Sequence, residues 1–407
     1  MEKKHLSLIL KKPIITMFLL ILIASLPQIG SSLLTASINI KSLGSISYLD
    51  PEFDDEPVTD LENMNLHVEG NKIVNSYGQT VYLTGFNVIG QFHTIDEGSW
   101  DSWGYYDTNR VDNFFRTLEQ KGVNVIRELT HSTGWINDNP VSSNIAGLTV
   151  RSMYKDFLDR AAKHGIYVIF SDMTVKSNPY HDIDAGGFAP YATSDERDIF
   201  PTEEAFENYV IQKIVELGSR DNYVAEVWNE PMGGDENAVI IWQRVWQNII
   251  DGVRSSGYDG LFLAQSRWGL SLWGNINSLH HNLNWYYEKP LQDDNMVVSF
   301  HVYLSNMEGK TGYEELKSSY ELIKVKQIAQ EIPVLCGEIG AMGTSNDEFA
   351  FMTNSLKVFN EWGIHYLGWA LCPGTEFAMV EIGSITSEVV LNAKGQAVID
   401  AINAGNP

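Results

Sequence analysis

Eight short apolar runs recur along the chain, nearly all separated by longer stretches of helical period. The runs are Tyr82–Val88, Val123–Leu129, Ile166–Phe170, Val224–Trp228, Leu261–Ala264, Met296–Val302, Pro333–Cys336 and Ile364–Leu371. Between them, apolar residues return at spacings of three and four. Val111, Phe114, Phe115 and Leu118 form one such stripe, and Tyr154, Phe157, Leu158 and Ala161 another. Phe206, Val210, Ile214 and Leu217 repeat it, then Trp242, Val245, Trp246 and Ile249, and later Phe349, Met352, Leu356, Phe359 and Trp362. A stripe of this kind is the face with which a helix covers a sheet. Strands joined through helices run parallel, because a parallel return needs a crossover. Gly122, Gly165, Gly257 and Gly363 stand where a left-handed cap would end a helix before the next strand. Eight such units in about 340 residues predict an α/β fold, a (β/α)8 TIM barrel. An open doubly wound sheet is the rival, but no G-x-G-x-x-G or G-x-x-x-x-G-K-[ST] opens any helix. Leu66–Val68, Lys72–Val74 and Val81–Leu83, with turns at Gly70-Asn71 and Tyr77-Gly78, predict a short N-terminal β-hairpin ahead of the barrel.

Three segments follow from charge and hydropathy. Lys3, Lys4, Lys11 and Lys12 precede an uncharged, mainly apolar run from Ile14 to Leu26, ended by Pro27. That run is shorter than the ~20 residues a spanning helix needs. Residues 1–36 read as a signal peptide or an uncleaved N-terminal membrane anchor. Either places the protein outside the cell, secreted or held on the outer face of the membrane. Residues 37–63 read as an acidic linker, with Pro51, Pro57, Asp50, Glu52, Asp54, Asp55, Glu56, Asp60 and Glu62. Residues 64–407 form the barrel domain. Lys plus Arg is 28 against 52 Asp plus Glu, a net charge of −24, which excludes nucleic acid as a partner. Two cysteines exclude a disulfide scaffold and a Cys-rich zinc module. Cys336 and Cys372 read as buried free thiols, Cys336 pointing into the barrel by its parity with Glu338.

Chemistry on a barrel gathers at the carboxyl ends of the strands. The fourth run ends Trp228-Asn229-Glu230-Pro231 and the seventh Cys336-Gly337-Glu338-Ile339-Gly340. The second ends in Arg127, the sixth in Phe300-His301-Val302-Tyr303, and the eighth in Gly368-Trp369-Ala370. Each residue alone has an ordinary structural explanation, as a salt bridge, a solvated end or a core aromatic. Together at one end they suit hydrolysis of a glycosidic bond, which needs a protonated carboxyl beside an ionised one. Aromatic rings supply flat apolar platforms for sugar faces, and the chain has 11 Trp.

With these pieces in order, the chain resembles glycoside hydrolase family 5, a cellulase-like family of retaining clan A TIM barrels. Leu83-Thr84-Gly85-Phe86-Asn87, Gly122-Val123-Asn124-Val125-Ile126-Arg127, Trp228-Asn229-Glu230-Pro231, Phe300-His301-Val302-Tyr303, Gly337-Glu338-Ile339-Gly340 and Gly368-Trp369 carry the resemblance. It implies that Glu230 is the acid/base and Glu338 the nucleophile. It further implies that Asn229 binds the sugar 2-hydroxyl, and that Arg127 and Tyr303 keep Glu338 ionised and aimed. His301 would assist the acid/base, and Trp369 would floor the subsite and be followed by a cis peptide. For Asn229 and Glu230 both to act, the strand must twist or bulge at its end.

One departure stands out. The family carries a His, often followed by Asn, after the third strand, where this chain has Ser171-Asp172-Met173-Thr174. His131 or His181 is the expected substitute. Trp268, Trp273, Trp285, Tyr286 and Tyr287 lie between the fifth and sixth strands, where they either wall a groove for a polysaccharide chain or, for Trp273 and Trp285, pack against the barrel and never meet ligand. The adjacent His280-His281 diverge on any regular element, Asp182-Ile183-Asp184 lacks the remaining ligands of a calcium loop, and no cofactor or metal is expected. The expected activity is endo-β-1,4-glucanase, with a β-linked polysaccharide or oligosaccharide as partner. An endo-β-1,4-mannanase is the runner-up on the same catalytic set. A non-catalytic carbohydrate-binding barrel is the reading from another class; both glutamates, with Arg127 and Tyr303, count against it.

Overall fold

The computed structural model describes residues 64–89, 105–130, 132–172, 200, 202–231, 236–265, 283–372, 376–380 and 389–405. The leader and linker expected over 1–63 lie outside the described residues, as do His131, His181, Asp182-Ile183-Asp184, Trp268, Trp273 and His280-His281. No helix among the described residues is long and apolar enough to cross a membrane.

The hairpin comprises β1 (Leu66–Glu69) and β2 (Lys72–Asn75), paired antiparallel. The expected third member, Val81–Leu83, forms no strand; Val81 only donates its N–H to the Ile73 carbonyl, at 2.9 Å. Eight strands then close a parallel barrel: β3 (Thr84–Ile89), β4 (Val125–Thr130), β5 (Tyr167–Asp172), β6 (Tyr223–Glu226), β7 (Phe262–Gln265), β8 (Met296–Tyr303), β9 (Val334–Gly340) and β10 (His365–Leu371). They lie in chain order, with β10 pairing β3 to close the circle. Seven of the predicted runs match these strands to within two residues at each end, the usual fraying of boundaries; the seventh, Pro333–Cys336, stops four residues short of the end of β9.

The helix stripes pack as their spacing requires. On α1 (Thr108–Gln120) the buried residues are Val111, Phe114, Phe115 and Leu118. On α2 (Val150–Lys163), Tyr154, Phe157, Leu158 and Ala161 are buried, and on α3 (Glu203–Leu217) Phe206, Val210, Ile214 and Leu217. Each such side chain contributes ~1.5–3 kcal/mol by leaving water. Gly122, Gly165, Gly257 and Gly363 all take positive φ, between 65° and 92°.

Inside the barrel the lower layer is apolar. Val125, Ile169, Val224, Leu263, Val297, Leu335 and Leu367 pack together, and Leu66 and Ile73 of the hairpin join them from below. The hairpin therefore plugs the amino end. It is tied there by the Val68 N–H to Asn295 Oδ1, at 2.8 Å, and by Asn71 Nδ2 to the Ala329 carbonyl, at 3.0 Å. One turn higher, along the same inward rows, the residues become Arg127, Ser171, His301 and Glu338. The change from apolar to polar layer is what places the site.

Gly85 lies where β3 and β4 approach most closely: a Cβ there would sit 1.9 Å from the Val125 carbonyl oxygen. Backbone cannot step aside as a flexible side chain can. Gly85→Ala is expected to cost at least ~3 kcal/mol of stability, the upper range for overpacking. Chemical denaturation measures this; an unchanged midpoint would mean the two strands can part freely.

Cys336 and Cys372 are both free and buried. Cys336, however, packs in the layer between barrel and helices, not inside the barrel. The reason is a bulge: Phe300 pairs with Cys336, but the next residue, His301, pairs with Glu338. The extra residue, Gly337, breaks the two-residue alternation on which the inward assignment rested.

Candidate active site

All eight barrel strands deliver polar or aromatic groups to one cleft at their carboxyl ends. Arg127, wholly buried at 0% exposure, is the hub. Its Nε donates to Glu226 Oε2 at 2.6 Å, and its Nη1 donates to Glu338 Oε1 at 2.9 Å and to Asn87 Oδ1 at 3.0 Å. Its Nη2 donates to Ser171 Oγ at 3.0 Å and Asn229 Oδ1 at 2.7 Å. One guanidinium thus spends its five donors on four strands and the turn after β6, which only the planar fork of Arg allows.

The chain turns sharply after β6. The Asn229 N–H donates to the Asp172 carbonyl at 2.7 Å, the Glu230 N–H to Gln265 Oε1 at 2.8 Å, and Glu230 adopts a left-handed φ of 47°. That turn brings Asn229 and Glu230 to the same cleft, as the strand-end argument required. Because Asn229 Oδ1 accepts from Arg127, its Nδ2 group is left as the donor for a ligand.

Glu230 and Glu338 face one another, with His301 between them. His301 Nδ1 is 2.9 Å from Glu230 Oε1 and 3.3 Å from Glu338 Oε2. One carboxyl oxygen of each glutamate and a ring nitrogen all lie within 4.8 Å of one another. Tyr303 donates its hydroxyl to Glu338 Oε2. These three ligand-type residues could in principle hold a metal, but the buried Arg127 cation bonded to Glu338 opposes a second cation there.

The two carboxyls are driven apart in acidity. Burial raises Glu230, and the Glu338 charge raises it further; the hydrogen bond and charge of His301 and the charge of Arg127 offset only part. Burial would raise Glu338 too, yet His301, Arg127 and the Tyr303 hydroxyl outweigh it and hold this carboxyl below its ordinary value. Burial lowers His301, but the Glu338 charge and hydrogen bonds to both glutamates prevail and draw it up to about 9. Burial and the neighbouring carboxylates keep Tyr303 protonated, hence a donor.

The cleft, about 470 Å³, is lined by Asn229, Glu230, Tyr303, Glu338 and Trp369, with Met342 and Phe377 among its walls. Trp369 is followed by a cis peptide to Ala370. The Phe377 ring meets that of Tyr303 edge-on at 5.5 Å. The expected wall of Trp285, Tyr286 and Tyr287 is not there. Trp285 is buried against Trp242, ring centres 5.0 Å apart, and Tyr286 and Tyr287 hydrogen-bond to Glu331, just ahead of β9. Glu331 lies at the amino end of the barrel, opposite the cleft.

The seven residues singled out from sequence, Arg127, Asn229, Glu230, His301, Tyr303, Glu338 and Trp369, come together. Asn87, Ser171, Glu226, Gln265 and Phe377 were not singled out. Glu226 offered one signal, a lone charge four residues before Glu230 at the end of an apolar run. Ser171 occupies the inward position at the end of β5 and bonds to Arg127, in place of the histidine that the resemblance led one to expect.

A closed parallel barrel with paired carboxyls of opposed acidity at its carboxyl end defines a class, the TIM-barrel glycosidases. The chain matches the cellulase family, glycosyl hydrolase family 5, over residues 74–375, and it belongs to that family. Solved structures share the fold. A β-glucanase from Saccharophagus degradans is 17% identical with a TM-score of 0.62, the match covering 87% of this chain and 96% of that one. An endocellulase from the archaeon Pyrococcus horikoshii is 16% identical, TM-score 0.62, covering 83% and 98%. The catalytic domain of a Streptomyces mannanase is 16% identical, TM-score 0.53, covering 84% and 92%. No curated protein matches the sequence.

Proposed function

We propose that the protein is an endo-β-1,4-glucanase acting by double displacement, with Glu338 as nucleophile and Glu230 as acid/base. The observation that carries this reading is the carboxyl pair: oxygens within 4.8 Å and acidities displaced in opposite directions. Retaining enzymes hold their carboxyls ~5–5.5 Å apart, inverting ones ~6.5–9.5 Å, to leave room for water. In the first step Glu338 Oε attacks the anomeric carbon while Glu230 gives its proton to the leaving oxygen, so the C–O bond breaks and a glycosyl ester forms. In the second, Glu230 takes a proton from water, which attacks the same carbon and releases Glu338. Asn229 Nδ2 donates to the 2-hydroxyl, and Trp369 carries the apolar face of the sugar. The family supports a β-glucan as substrate, and the cleft's aromatic walls, Tyr303, Phe377 and Trp369, suit pyranose rings. Residues 1–36 then act as an export signal or an anchor, which N-terminal sequencing of the mature protein would distinguish.

Product analysis on β-1,4-glucan, mannan and xylan tests the substrate. Cello-oligosaccharides of several lengths are expected; turnover of mannan alone would overturn the glucan assignment in favour of a mannanase. The pH profile tests the roles. Activity needs Glu338 ionised and Glu230 protonated. kcat/KM should therefore rise as Glu338 ionises, below the usual carboxylate range, and fall as Glu230 loses its proton, above that range. A profile with one limb only, or both limbs at ordinary carboxylate values, would contradict the assignment.

A further inference from the structure

We propose that Lys213 is a positioning residue: through Asp172 it fixes the backbone carbonyl that receives the Asn229 N–H, and so aims the amide that Asn229 offers to the sugar. The inference rests on the assignment of Asn229 to the 2-hydroxyl and says what holds Asn229 from outside the cleft.

α3 buries Phe206, Val210, Ile214 and Leu217, and Lys213 is buried with them, at 4% exposure. A lysine is almost never buried to that degree without a partner. The partner is Asp172, the last residue of β5 and 2% exposed, whose Oδ1 accepts from Lys213 Nζ at 2.5 Å. Thr130 Oγ1, at the end of β4, donates to the same Oδ1 and accepts from Nζ at 3.1 Å. Tyr209, one turn before Lys213 on α3, donates its hydroxyl to Oδ2 at 2.6 Å. The stacked rings of Trp135 and Tyr154 lie beside the ammonium, their centres 5.7 and 5.8 Å from Nζ. Burial draws the Lys213 ammonium down in basicity, and the charge and hydrogen bond of Asp172 work against that. Each ion of the pair is therefore held in the interior by the other.

This cluster bears on the cleft through the backbone. Successive residues of a strand point to opposite faces. Ser171 turns inward to Arg127, while Asp172 turns outward to α3. The ladder between β5 and β6 ends at Phe170 and Ala225. Past that point the Asn229 N–H donates to the Asp172 carbonyl at 2.7 Å and joins the two chains again. Asn229 is thus held at two places, its N–H by Asp172 and its Oδ1 by Arg127, and together they fix where Nδ2 points. Arg127 acts from inside the barrel. Lys213 acts from outside it, by tying down the strand end that carries the Asp172 carbonyl; untied ends fray. The hydrogen bond to the 2-hydroxyl strengthens in the transition state. A small displacement of Asn229 should therefore act on kcat more than on KM.

The first test needs no substrate. Amide hydrogen exchange reads the Asn229 N–H, with the Val168 N–H, bonded to the Asn222 carbonyl at 2.9 Å, as control on the same strand. In Lys213→Met the Asn229 amide should exchange at least ~10-fold faster than in the native chain, and Val168 no faster than the loss of global stability accounts for. Should Lys213→Met fail to fold, Lys213→Met combined with Asp172→Asn leaves no charge stranded and should show the same selective change. An unmoved Asn229 amide, or one that quickens only as global unfolding does, would overturn the proposal and make Lys213 a packing residue. The second test is kinetic. On an aryl β-cellobioside, kcat of the same variant should fall by up to ~10²-fold, with KM changing less. The analogue lacking the 2-hydroxyl on the sugar being cleaved should lose far less, because it gives Asn229 nothing to hold. Equal losses on the two substrates would also overturn the proposal. A native protein inactive on every glycan would sink the functional reading instead, and leave the exchange result to decide what Lys213 does for Asn229.

Discussion

Replacing Glu338 by alanine should lower kcat on β-glucan by at least ~10⁴-fold, the scale on which loss of a nucleophile is felt. Without that carboxylate no glycosyl ester can form, while Arg127, Asn229 and Trp369 remain to bind the substrate. KM should therefore change far less than kcat. The substitution also vacates space beside the anomeric carbon. A small anion such as azide, supplied at high concentration, should restore part of the turnover and leave a glycosyl azide of inverted configuration. Residual activity within ~10-fold of native would remove Glu338 from the reaction.

Arg127→Met should be nearly as damaging, and for two separable reasons. The first is stability. Glu226 and Glu338, exposed by 1% and 2% along their side chains, would lose their shared cation while buried. Removing one partner of a buried ion pair typically costs ~3–5 kcal/mol. Denaturant unfolding should show a loss of that size. The second is acidity: without Arg127, Glu338 loses part of what holds its carboxyl low. The acid limb of kcat/KM should move to higher pH in whatever protein still folds. Should Arg127→Met prove too unstable, Arg127→Lys keeps a charge without the fork and should retain the acid limb better than the fold. A variant with native stability and an unmoved limb would show that the cation is dispensable at both.

The barrel was legible because its signals are local. An apolar run, a three-four stripe and a glycine cap each repeat within one βα unit, and eight agreeing units leave little freedom. The residues at strand ends were legible for a similar reason, since position on the strand fixes the end of the barrel they reach. What escaped depends on partners from elsewhere. Ser171 and Gln265 are ordinary polar residues until Arg127 and His301 arrive from other strands. Cys336 was assigned to the wrong face because one extra residue at Gly337 resets the alternation, and alternation was the whole of the argument. Trp285 packs against a helix, and Tyr286 and Tyr287 lie away from the cleft. Lying between two strands does not say whether a segment belongs with the loop leaving one or the approach to the next. Trp285 is held by Trp242 on the helix Glu236–Ser255, and its neighbours by Glu331 on the approach to β9. Phe377, which walls the cleft, lay beyond the last strand in a stretch with no periodic signal.

The central claim is that two carboxyls held close together carry out two displacements at one carbon. Proton NMR of the first products from a soluble β-1,4-glucan tests it most directly, because the anomeric signals distinguish the two configurations before mutarotation mixes them. The account predicts that the β-anomer appears first and the α-anomer only later, at the rate of mutarotation. The α-anomer appearing first would mean a single displacement by water, and would contradict the roles given to Glu230 and Glu338.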